Sequence, residues 1–69
     1  MEETIDKAIS AVFILEPVNC TKDEWPAVRK ALQDWTRNGL TRNSPAFREE
    51  FALEEIRRLD RKFSYRPRQ

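Results

Sequence analysis

One cysteine, one glycine and no histidine bound the chemistry open to this 69-residue chain. Histidine is the commonest general base, so neither a Ser/His/Asp nor a Cys/His arrangement can be assembled. Cys20 lies just before a stretch that reads as a helix start, where the helix dipole favours a thiolate. With no base beside it, the thiol reads instead as a buried, inert side chain. A Cys/His zinc site cannot be built. Loops that cradle phosphate need several glycines, and Gly39 stands alone. The carboxylates are numerous, but Lys and Arg interleave with them along helical stretches, as on a solvated face. The expectation is a protein with no catalytic role, no metal and no cofactor.

Phosphate binding is the other chemistry to weigh. Residues 57–69 carry six Lys and Arg against one Asp, with Phe63 and Tyr65 among them. Such a segment can contact a nucleic-acid backbone. The chain as a whole offers little pull, because 36% of residues are charged but the net charge is only +1. A helix-turn-helix with Gly39 in the turn would place bulky Trp35 where a small residue belongs. It would also put Pro45 where an apolar residue is needed. Its recognition helix would carry Glu49, Glu50, Glu54 and Glu55, which phosphates repel. A nucleic-acid-binding regulator, using the third helix and tail, is therefore the alternative and not the main expectation.

Three helical segments must position these side chains. The clearest covers residues 21–38. Thr21 and Glu24 have the spacing of a capping box, with Cys20 and Trp25 as a hydrophobic staple. Pro26 makes Asp23 a rival cap, since proline belongs in the first turn. Trp25, Val28, Leu32 and Trp35 form one stripe, read as core, with a partner-binding ridge as the other possibility. Ala27 and Ala31 beside it allow close approach. Arg29, Lys30, Gln33, Asp34 and Arg37 are expected to face solvent. Gly39 reads as the left-handed residue after the helix.

The first segment is expected to be helical over residues 3–16, with Ile5, Ala8, Ile9, Val12 and Leu15 facing inward. Its end, residues 11–15, is apolar on every side and also reads as a buried strand. A lone strand has nothing to pair with, which favours helix. Pro17 ends it, and Phe13 and Ile14 point off the main stripe. A short connection over residues 17–20 suits an antiparallel helix pair. Ser44 and Pro45 signal the third helix, over residues 45–63. Ala52, Ile56, Leu59 and Phe63 share one face of it, and Phe47 and Phe51 another. That is either a helix wrapping round the end of the bundle or one built to touch two bodies. Glu54–Arg58 is its favourable pair. The fold class is thus all-α: a helical hairpin, a third helix packed across it, and a basic tail. Residues 1–63 form the domain and residues 64–69 the flexible tail, which Tyr65 can anchor.

A chain this short buries only about 60% of its unfolded surface. It has no disulfide or metal staple, so oligomerisation or a larger partner is the natural source of further burial. The expected function is a non-catalytic protein–protein interaction module that binds a larger protein and modulates it, by inhibition, as a homodimer, of the kind phages and mobile elements encode. Its partner-binding residues are expected to be Leu40, Arg42, Phe47, Arg48, Phe51, Arg57, Arg58 and Arg61, since Arg and aromatics anchor such surfaces. No stretch suits a membrane span or a signal peptide. The lone thiol favours a reducing compartment, and the expected location is the cytoplasm.

Overall fold

The computed structural model describes residues 2–39 and 46–66. It is an all-α fold of three helices, each packed against both others. The helix start expected at Ser44 and Pro45 lies outside the described residues, as do residues 67–69 of the tail. No helix among the described residues is long and apolar enough to cross a membrane.

Helix α1 spans Glu2–Phe13, with Glu2 and Glu3 in its first turn, where the dipole favours acids. Ala8 and Val12 are buried, and Ile5 and Ile9 pack beside them. The helix stops sooner than Pro17 requires. The Leu15 amide donates to the Val12 carbonyl at 3.1 Å, and the Glu16 amide to that of Ala11 at 2.7 Å. This pair of bonds is a Schellman closure, and it holds Leu15 at φ 62. Leu15 is therefore turned out of the stripe and exposed, which corrects its expected place beside Val12.

Helix α2 spans Trp25–Asp34. The capping box forms as its spacing implies. The Thr21 amide donates to Glu24 Oε1 at 2.9 Å, and the Glu24 amide to Thr21 Oγ1 at 3.2 Å. Residues 22–24 make a turn, and the Trp25 amide reaches both the Thr21 and the Lys22 carbonyl. Pro26 has no N–H to offer Lys22, so this shared bond covers the gap. Trp25, Val28 and Leu32 are fully buried and Trp35 is half-buried against them. The stripe is core.

Trp35–Gly39 continues the helix as a π turn. The Thr36 hydroxyl donates to the Gln33 carbonyl at 2.8 Å, a local bond that competes with regular helix pairing. Gly39 does not take a positive φ, so the expected left-handed stop is absent there. Among the described residues, the left-handed ones are Leu15 and Ser64.

Helix α3 spans Ala46–Lys62. Ala52, Ile56 and Leu59 are buried and Phe63 packs beside them, the inward face expected. A second Schellman closure ends it. The Ser64 amide donates to the Arg61 carbonyl at 3.2 Å and the Tyr65 amide to that of Asp60 at 2.8 Å.

The short turn expected between the first two helices is replaced by a longer connection, residues 14–24. It has no helix from residue 16 to residue 21 and carries Val18 into the core. It then brings the chain back to the start of α1, where the Thr4 hydroxyl donates to Glu24 Oε2 at 2.9 Å. The beginnings of α1 and α2 are joined there.

A left-handed conformation strains a residue with a Cβ by about 1–2 kcal/mol. Leu15→Gly and Ser64→Gly should therefore each raise stability, by about 1 kcal/mol. Urea unfolding reads this directly, and a loss of stability in both variants would contradict the two closures.

Candidate functional site

The polar groups that matter most were expected in solvent and lie inside. Glu55 is only 7% exposed. Its Oε1 accepts from the Val18 amide at 2.8 Å and from Arg58 Nη2 at 2.8 Å, and its Oε2 from Arg58 Nε at 3.0 Å. Arg58 Nη2 also donates to the Val18 carbonyl at 3.0 Å. One acid and one base, a turn apart on α3, thus satisfy both backbone groups of a buried loop residue. Burial pushes the Glu55 carboxyl up. The bonds from Arg58 and Val18, with the Arg58 charge, outweigh it and hold the group below its ordinary value.

Asp60 plays a similar part in the last turn of α3. It accepts from Trp25 Nε1 at 2.8 Å and from Arg29 Nε at 3.0 Å. The Arg29 guanidinium lies 5.4 Å from the centre of the Tyr65 ring. Arg29 was expected to face solvent, but this pairing covers most of its side chain. The Trp25 and Phe63 rings pack at 6.2 Å between centroids. Glu24 is held below the usual carboxylate range by the Thr21 amide, the Thr4 hydroxyl and the Thr21 hydroxyl.

Cys20 packs at the core edge. Burial pushes its thiol up and Glu24 adds to this, while Lys62 and Arg58 oppose it. A thiol raised in this way stays protonated, and is a poor nucleophile. Among the described residues, no three Cys, Asp or Glu side chains converge as a metal ion would need.

The residues expected at a partner surface are divided by the fold. Leu40 and Arg42 lie outside the described residues. Phe47 is 53% exposed. Phe51 packs against the core, so it does not share an outer face with Phe47. Arg48 lies over the Phe13 ring at 4.1 Å, and its Nε is buried with no hydrogen-bond acceptor among the described residues. Arg58 is committed to Glu55 and Val18, and not to Glu54. Arg57 and Arg61 are exposed and line a groove of about 340 Å³ with Glu54, Glu55 and Arg58.

Exposed apolar side chains also stand at the end of α1. Phe13, Ile14 and Leu15 are consecutive and 49%, 59% and 42% exposed. The all-round apolar run at residues 11–15 was the signal. The helix stops at Phe13, and Ile14 and the left-handed Leu15 follow it exposed. The Arg48–Phe13 stack joins this cluster to the start of α3, which also carries Phe47.

Comparison with protein-family models, with curated proteins and with solved structures found no match for this chain.

The depressed carboxylates set an acid limit. A folded pKa below the ordinary 4.5 gives stability that is full above that value and lost as pH falls through the lower, folded one. The thermal midpoint should hold to about pH 5 and fall below it. Glu55→Gln should cost about 2 kcal/mol at neutral pH, by loss of charge-assisted bonds. It should also flatten part of the acid limb. An unchanged neutral-pH midpoint in Glu55→Gln would remove the clamp from its structural role.

Proposed function

We propose that this chain is a small non-catalytic protein–protein interaction module. It self-associates as a homodimer and binds a larger protein, whose activity it inhibits, as small regulatory proteins of phages and mobile elements do. Its proposed place is the cytoplasm. The observation that supports this is the exposed apolar run Phe13, Ile14 and Leu15, with Arg48 of α3 stacked on Phe13 and exposed Phe47 next to Arg48 in the chain. Exposed apolar residues are ordinary when scattered singly, but a cluster marks an interaction surface. Aromatic side chains beside an Arg are the usual anchors of such surfaces.

A second reading, binding to nucleic acid, is favoured by one observation. Arg61 is shared by two grooves on α3, one with Arg57 and Arg58, the other with Tyr65 and Arg66. The same grooves hold Glu54, Glu55 and Asp60, which weaken any phosphate contact. The protein-binding reading is preferred for that reason.

Affinity capture from nuclease-treated lysate separates the two. The wild-type chain should retain a discrete protein at high salt, and Phe13→Ser/Phe47→Ser, folded with an unchanged midpoint, should lose it. Phosphate contacts weaken steeply with salt. Recovery of nucleic acid alone, lost at high salt, would transfer the function to the Arg57, Arg61 and Arg66 edge.

A further inference from the structure

We propose that the outer face of α1 is a docking groove for a cationic amphipathic helix of another protein. That helix would carry two Lys or Arg about a turn apart and a bulky apolar side chain on the same face. This names the partner's chemistry for the interaction module proposed above, and rests on that reading.

The core side of α1 is Ile5, Ala8, Ile9 and Val12. Its opposite side carries Glu3, Asp6, Lys7 and Ser10 at helical spacing, all of them exposed. With Ala11, Ile14 and Glu16 they line a groove of about 310 Å³. From Glu3 to the end of α1 this face runs about 15 Å, the length of about three helical turns. Ser10 and Ala11 are small, so a second helix can come close over them. Ile14, 59% exposed, belongs both to the groove and to the apolar run Phe13–Leu15. An apolar floor on a helical face is what an amphipathic helix lays its own apolar side into.

Charge decides which amphipathic helix fits. Glu3, Asp6 and Glu16 line the groove as acids, and Lys7 is its one base. Lys7 lies 3.5 Å from Glu3. Asp6 and Glu16 have no ion-pair partner among the described residues. Exposed Glu2 adds to the same sign. Arg48 of α3 stands over Phe13 but does not line the groove. Residues 1–16 as a whole hold four acids and one base, although the net charge of the chain is +1. The field at this face is therefore opposite in sign to the whole chain, and it draws a cation. The Glu16 amide donates to the Ala11 carbonyl at 2.7 Å, so Glu16 stands beside Ala11. Ala11 is about 7.5 Å along the helix from Asp6. Two bases about a turn apart reach both acids, and their aliphatic stems lie over Ser10 and Ala11. An apolar side chain a further turn along covers Ile14. The charges set the partner's register and exclude an acidic helix.

Calorimetric titration of the full chain with synthetic amphipathic helices tests the groove, with thermal melts to verify folding. A helix of Leu and Lys should bind, and one of Leu and Glu should not. Asp6→Asn/Glu16→Gln and Ile14→Ser should each weaken the Leu/Lys helix about tenfold or more. Asp34→Asn/Glu50→Gln removes the same charge outside the groove and should change the affinity less than about twofold. Equal loss in both neutralised variants would reduce the effect to net charge and overturn the groove. An unaffected Ile14→Ser, or equal binding of both helices, would overturn it as well. No binding of the Leu/Lys helix would also overturn it, and would leave the interaction module standing, because capture through Phe13 and Phe47 tests that separately. Wild-type dimers that dissociate in Asp6→Asn/Glu16→Gln would give the groove to a second copy, and so overturn the proposal.

Discussion

Val18 is a fully buried residue in a segment with no helix or strand to satisfy its backbone. A buried amide or carbonyl without a partner costs as much as a lost hydrogen bond. Glu55 and Arg58 meet both needs, the carboxylate taking the amide and the guanidinium donating to the carbonyl. The rest of the fold depends on this. With Val18 held on α3, the connection can leave α1, enter the core and return to Thr4. Without it, the polar backbone of the connection would be drawn to water, and the core would lose one of its six largest fully buried side chains.

The same device recurs. Glu24 takes the Thr4 hydroxyl from α1 as well as its own cap. Asp60 takes the Trp25 indole and the Arg29 guanidinium from α2. Three carboxylates thus each tie two segments together. A domain of this size has a small core, and a single cysteine allows no internal disulfide. Charge-assisted bonds, shorter and stronger than neutral ones, act as its cross-links.

With Glu55, Arg58 and Asp60 engaged inside the fold, other side chains define the outer surface. The surface of α1's end is left to Phe13, Ile14 and Leu15, turned out by a closure that needs a left-handed residue. The surface of α3 keeps Arg57 and Arg61 because Arg58 is used internally. Apolar and cationic patches on a small, weakly cored domain are the surfaces on which the proposed association rests.

Local pattern determined a good part of this by itself. The helical class, the capping box at Thr21 and Glu24, the Trp25, Val28 and Leu32 stripe, and the inward face of Ala52, Ile56 and Leu59 all follow from spacings within a few residues. That only histidine-free chemistry is open to the chain follows from composition. What the tertiary structure alone decided is which polar side chains go inside and which apolar ones stay out. Glu55 and Asp60 look like any other acid on a charged helix, because their partners Val18, Trp25 and Arg29 are more than thirty positions away. Leu15 and Ser64 give no sign of being left-handed, since neither is a glycine and the conformation is imposed by the closing bonds. Phe51 and Phe47 are one turn apart and read alike, but only packing against the other helices takes Phe51 in. Periodicity records what lies along one helix. It holds nothing about the distant segment that will meet it, and there the bonds of this fold were decided.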